Sequence, residues 1–272
     1  MNNTFNINRF GLLLKRQWLD FGKIYLISLI VLLGIVVGFY AYSIPSPLKS
    51  NNFDYDDNLD MRFRYPLFLI LGFIFTSIVA SSYFNILGQK SRAILELMTP
   101  ASVFEKFLAG VLYTAIISLF SYLLIFYLTD LAFTKYLNGH LDAFKGLLPN
   151  NGIVKEVETI TYQVFNEAGY RKYCSYFFAL PFLITSVFLL GSIYFNRYHY
   201  IKTALSVMVF IGLASYLIVK LSIWLMQDKV AYHHNFRKDD NDLILLAILL
   251  TTSIITLIIW TITYIRLKEK EV

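Results

Sequence analysis

Residues able to do chemistry are scarce in this chain, and most of them lie outside its long apolar runs. The four histidines are His140, His199, His233 and His234. Only the His233-His234 pair, with Asp228, Asp239 and Asp240 near it in sequence, has the composition of a metal-binding loop. An ordinary solvated loop accounts for it without a metal, because liganding needs side chains that converge in space. No H-E-x-x-H, G-x-S-x-G or G-x-x-x-x-G-K-[ST] motif occurs, so zinc hydrolysis, serine acylation and P-loop ATP hydrolysis lack their usual signatures. Catalysis, metal binding and cofactor binding by this chain are therefore not expected. The candidates for an ionisable group in the bilayer are Asp130, directly after the third apolar run, and Lys220, in the last turns of the fifth. Charges inside a bilayer are costly and tend to be functional. Here simple exposure at the outer boundary explains Asp130, and snorkelling of a long amine explains Lys220.

The elements that carry these residues follow from composition. Of 272 residues, 57% are hydrophobic and only 15% are charged, against about 25% charged in a soluble domain. Six apolar runs stand out: 24–42, 66–87, 107–129, 173–195, 203–225 and 243–265. At ~1.5 Å per residue each crosses a hydrocarbon layer ~30 Å thick. The runs lack the alternation of barrel strands, so the expected fold is an all-α integral membrane protein with one six-span domain over 1–272. The first run follows 23 polar or amphipathic residues and is too long for the apolar core of a cleaved signal peptide. The lone Cys174 offers no internal disulfide.

Six spans put both termini on one side, together with the 88–106 loop and the 196–202 turn. The density of Lys and Arg in these segments, and the four basic residues before the first run, favour the cytoplasm. On the opposite side the 43–65 loop carries Asp54, Asp56, Asp57 and Asp60. The 135–172 segment reads as partly helical, with Ile153, Val157, Ile160 and Val164 on one face and Gly169 as a stop.

Residues 1–23 form a further expected element. Ile7, Phe10, Leu14, Trp18 and Phe21 make an apolar stripe at helical spacing, with Arg9, Arg16 and Asp20 opposite. That pattern suits an amphipathic helix in the headgroup layer, either a plain anchor or a collar that touches a cytoplasmic partner. Gly34 and Gly38 form a GxxxG on the first span, which marks a subunit interface or packing within the chain. On the second span, Thr76, Ser77, Ser81, Ser82 and Asn85 line a polar path or bond to neighbouring helices, the latter being the usual role.

The stretch "LELMTPASVFEKF", Leu95 to Phe107, interrupts the apolar text with strong local signals. Lys90–Met98 can form a short helix with Ile94, Leu95 and Met98 on one side and Arg92 and Glu96 elsewhere. Thr99-Pro100 ends it, since the residue before a proline avoids the helical region. Ser102 and Glu105 have capping-box spacing and restart the chain into the third span.

At these residues the chain resembles the transmembrane subunit of type-2 ABC exporters, the ABC-2 permease family. The matching text is "ILELMTPAS", with Leu97-Met98 before Thr99 and Pro100-Ala101-Ser102 after it. The sequence has Lys90-Ser91-Arg92-Ala93 and Val103 where the family often has an acidic Gly-Thr segment and a basic residue, which marks a divergent branch. The resemblance implies six spans, an N-terminal amphipathic helix and a short cytoplasmic coupling helix between spans two and three. It implies a permease subunit in a bacterial plasma membrane, with both termini cytoplasmic and a second copy or paralogue as partner. ATP and Mg would reside on a separate ABC ATPase subunit. Lys90, Arg92, Ile94, Leu95, Glu96, Met98, Pro100, Ser102 and Glu105 would couple to that ATPase, while Arg9, Arg16 and Trp18 form the collar and Gly34 and Gly38 pack subunits. The alternative is a membrane-embedded assembly or sensor protein without transport activity. Nucleic acid is not an expected partner, and the cargo is not readable.

Overall fold

The computed structural model describes residues 5–47, 53, 59–85, 98–144, 155–226 and 238–271. Among these the protein is helical throughout, apart from turns, short extended stretches and a single antiparallel bridge between Phe53 and Leu59. In order, the helices are α1 (Ile7–Ser43), α2 (Arg64–Tyr83), α3 (Val103–Asn138), α4 (Ile160–Asn166), α5 (Ala168–Phe177), α6 (Leu180–Tyr194), α7 (His199–Met226) and α8 (Lys238–Glu271). Six stretches, with α5 and α6 contributing jointly to the fourth, are long and apolar enough to cross a membrane. The protein has the build of a multi-pass membrane protein. Helices suit that setting because each span satisfies its own backbone groups where no water can.

The expected N-terminal amphipathic helix and the first span run together without a break in the helix. α1 is a single helix of 37 residues, or about 55 Å at ~1.5 Å per residue. That is well beyond a ~30 Å hydrocarbon layer. No proline or other stop signal separates Lys23 from Ile24, so one helix runs through. The predicted stripe is also rotated: Phe10, Leu13 and Gln17 are buried, while Ile7 and Trp18 are exposed.

The chain divides into two compact units. One comprises Met1–Leu13, Ser77–Ala115 and Tyr176–Val272. Within it α6 packs on α7 and α8, and α8 packs on the first turns of α3. Phe104 and Phe107 meet Tyr264 edge-on. Gly191 on α6 lies so close to Thr203 on α7 that a Cβ has no room there. Ser81 bonds to His199 Nδ1 at 2.8 Å and Ser77 to Tyr200 at 3.4 Å. Thr76 and Ser82 instead donate to carbonyls of their own helix. The serines of α2 that reach α7 thus serve as interhelical contacts.

The other unit comprises Leu14–Thr76 and Ile116–Ser175. Here the Tyr122 ring fills the space beside Gly72, and its hydroxyl donates to the Phe68 carbonyl. Leu59, Met61, Leu137 and Phe144 form a small core beyond the spans, joined by Ile44, Phe53 and Val157. Gly169 is not a helix stop. The chain breaks two residues earlier at Glu167, whose backbone is extended, and Gly169 lies inside α5. Thr159 caps α4 by accepting from the Tyr162 amide, so Val157 precedes the helix.

Burial separates the spans sharply. The apolar window of α7 is 0% buried and that of α2 is 44% buried. In water such a bare helix would aggregate; in a bilayer it faces lipid or another chain.

Candidate functional site

The elbow that restarts the chain into α3 is built from local signals. Pro100 fixes its own φ, and the Ala101 amide donates back to the Thr99 carbonyl at 2.8 Å, closing a three-residue turn. Ser102 then takes an extended backbone and caps α3. Its hydroxyl accepts from the Glu105 amide at 3.3 Å, and its own amide donates to Glu105 Oε2 at 2.8 Å. The expected capping box is present.

Glu105 does more than cap. Its side chain is fully buried, and it binds Arg9 in a two-pronged pair, Nε to Oε2 and Nη2 to Oε1, each at 2.8 Å. The Asn6 amide donates to Oε1 at 2.9 Å. Four donors therefore saturate one carboxylate, two from the guanidinium and two from backbone. Paired prongs of this kind fix orientation as well as charge. Asn6 also accepts from the Asn8 amide at 3.0 Å, which starts α1 beside the elbow. The resemblance assigns Arg9 to the collar and Glu105 to the coupling loop; the fold joins them in one clasp. Phe5 extends it, edge-on to Phe104.

Of the other predicted site residues, Pro100 and Met98 are exposed. Lys90, Arg92, Ile94, Leu95 and Glu96 lie outside the described residues, as does the His233-His234 pair. Arg16 reaches Asp20 at 4.0 Å on the α1 surface, and Trp18 stands against Gly22 and edge-on to Tyr25. Among the described residues nothing lies within 4 Å of a Cβ placed at Gly34 or Gly38, while Leu32, Val36 and Tyr40 form the buried face of α1. Lys220 is exposed on α7 with its amine over the Tyr216 ring.

Asp130 overturns its reading as a simply exposed residue. It is fully buried on α3. Oδ1 accepts from Tyr40 of α1 at 2.7 Å and from Arg64 of α2 at 3.0 Å, and Oδ2 accepts from the Ile160 amide at the start of α4 at 2.7 Å. Arg64 also donates to the carbonyls of Met61 and Glu158. Burial forces this arrangement, because an unpaired charge there would cost far more than the pair. The segment before α4 is tied to α3 again by Asn138, which exchanges two hydrogen bonds with Val157 at 2.8 and 3.0 Å. A cleft of about 640 Å³ opens beside the node, walled by Met61, Tyr65, Glu158, Gln163 and Tyr170. Tyr65 stacks on Tyr170 and donates to Gln163 at 2.6 Å.

Sequence reasoning missed Arg64 and Tyr40. A signal was present: Arg64 opens α2 where Asp130 approaches the end of α3, so antiparallel spans bring the two to one depth. No protein-family model, curated protein or solved structure matches the chain.

Proposed function

We propose that this chain is the membrane-spanning permease subunit of an ATP-driven exporter, working with a separate ATPase and a second copy or paralogue in a bacterial plasma membrane. The observation that carries the reading is the Glu105 clasp. A permease driven from outside must receive force at its cytoplasmic loop and pass it to the spans without slack. The expected coupling helix, Lys90–Met98, lies outside the described residues except for Met98, and the residues after it form a closed turn, a double cap and a two-pronged ion pair. Glu105 holds the start of α1 to the start of α3, so a push on the loop moves both helix ends together. The early turns of α1, which outrun the hydrocarbon, act as the collar. Nucleotide-driven closure of the ATPase then biases a two-state tilt of the spans.

The direct test is purification of the detergent-solubilised protein from its own membrane, with Leu95→Cys as a crosslinking handle. An ABC ATPase is expected to copurify and to crosslink at residue 95. If neither occurs in membranes where both proteins are expressed, the reading fails. In the reconstituted complex, Pro100→Ala with Ser102→Ala is expected to leave ATP hydrolysis running while transport falls. Unchanged coupling would remove the elbow from the mechanism.

A further inference from the structure

The basic residues at the terminal side of the protein do more than orient it. Three consecutive residues at the end of α6 each collect a cation from elsewhere in the chain. Lys270 of α8 donates to the Ile193 carbonyl at 2.6 Å. Arg266 of α8 lies 5.7 Å from the centre of the Tyr194 ring. Lys202 of α7 lies 5.8 Å from the centre of the Phe195 ring. Arg197 follows two residues later, exposed. All of these lie in one compact unit. Glu269 pairs with Arg266 at 2.7 Å and Glu271 follows Lys270, while no acid occurs between Ile193 and Lys202.

The turn itself is strained. Tyr198 has φ of 54°, the left-handed region, where glycine is the ordinary choice. Its ring is 74% exposed and Tyr194 is 60% exposed. A bulky aromatic kept in a costly backbone conformation and turned outward points to a function for the exposed ring. Tyrosines at the headgroup level with basic side chains around them are the pattern of a membrane interface. Basic pockets between helix ends are where anionic headgroups bind. Contact with the Tyr194 and Phe195 rings, and the bond to the Ile193 carbonyl, hold Arg266, Lys202 and Lys270 before any ligand arrives, which lowers the order that binding must create.

From these contacts we infer that the α6–α7 turn and the end of α8 form a headgroup site for an anionic phospholipid, with Arg197 and Lys202 serving the phosphate, Arg266 (already paired with Glu269) at its edge, and Tyr198 packing at the glycerol level. The site is independent of any ATPase and stands whether or not the chain is a transporter. It differs from diffuse attraction to a charged leaflet in placing Arg197 beside cations that are already held, Lys202 on the Phe195 ring and Lys270 on the Ile193 carbonyl.

The test uses the intact protein, stripped of lipid in non-ionic detergent and titrated with phosphatidylglycerol, phosphatidylcholine or inorganic phosphate. Bound lipid is counted by native mass spectrometry and stabilisation by the unfolding temperature. Phosphatidylglycerol is expected to be retained and to stabilise, and the other two are not. A cation in direct contact with an anionic headgroup is taken to contribute about fivefold in affinity, and cations out of contact with it contribute nothing in non-ionic detergent, where no charged leaflet is present. Arg197→Gln with Lys202→Gln is therefore expected to weaken retention about twenty-five-fold, and Arg197→Gln alone about fivefold. Lys15→Gln with Lys23→Gln removes equal charge elsewhere and is expected to leave retention unchanged. The charge-preserving pair Arg197→Lys and Lys202→Arg should keep most of it. Equal loss in the Lys15/Lys23 variant would reduce the effect to net charge. Equal stabilisation by inorganic phosphate, or full retention in the Arg197→Gln variants, would also overturn the site. Arg197 is exposed and makes none of the contacts at Ile193–Phe195, so its single variant keeps the test valid if the double variant does not fold.

Discussion

Two buried carboxylates lie on α3, and they are held in opposite ways. Glu105 receives two backbone amides and a guanidinium whose side chain is 30% exposed. Asp130 receives a tyrosine, one backbone amide and a guanidinium that is 3% exposed. The first is a clasp at a wet edge, open to exchange with water and salt. The second is a sealed pin that joins helices α1, α2 and α3 to the Glu158–Ile160 segment. The difference separates a partly solvated ion pair from a sealed one, on which the stability of its unit depends more heavily.

The sharpest way to break the comparison is to unpair the sealed node. Arg64→Ala leaves Asp130 buried with its main countercharge gone, which costs about 3–5 kcal/mol for a pair of this kind. The unfolding temperature in detergent should fall by more than in any other variant considered for either node. Arg64→Met together with Asp130→Leu should recover much of the loss, because an apolar pair of similar volume carries no desolvation penalty. If the double variant is as unstable as Arg64→Ala, the node's value lies in its hydrogen bonds to Ile160 and Glu158 rather than in charge balance.

The clasp should respond differently. Glu105→Gln keeps acceptor capacity for a backbone amide but loses the ion pair. Arg9→Gln keeps the capping box intact. Both should lower stability less than Arg64→Ala, with Glu105→Ala between them and Arg64→Ala. The readout specific to the clasp is hydrogen exchange: amides of Asn6 to Leu13 should speed up in Arg9→Gln while those near Ile160 do not change. Raising salt to about 0.5 M, where charges are screened beyond a few ångströms, should reproduce part of the Arg9→Gln pattern in the unaltered protein. Equal salt sensitivity at Ile160 would show that the two nodes are not differently solvated after all.

The same contrast explains what could be read in advance. The spans were legible because uncharged runs of this length have one stable form in lipid. The capping box was legible because Ser102 and Glu105 are three residues apart and satisfy each other. Asp130 was misread because its partners are supplied by α1, α2 and α4, and a lone acid at the end of an apolar run says nothing of them. Arg9 and Glu105 were each noticed, but their pairing spans 96 residues. The phase of the α1 stripe was wrong for a related reason: Gln17 is buried and Ile7 is exposed. Outside water, hydrophobicity no longer tells which face of a helix is covered.

The smallest expected effect lies on α1, which carries Tyr40 of the sealed node on one face and Gly34 and Gly38 on another. Tyr40, Val36 and Leu32 are spaced to touch the rest of their unit, whereas space around both glycines is open. Gly38→Ala should therefore change the stability of the isolated chain by no more than about 0.5 kcal/mol, measured by thermal unfolding at low protein concentration. Close helix approach between copies depends on small residues, so Gly38→Leu should reduce crosslinking between two differently tagged copies in the membrane while leaving the unfolding temperature nearly unchanged. Loss of association without loss of stability would assign this face to a second chain. Unchanged association would mean that the glycine face meets only lipid, and the partner copy must then dock elsewhere, with the bare α7 as the next surface to test.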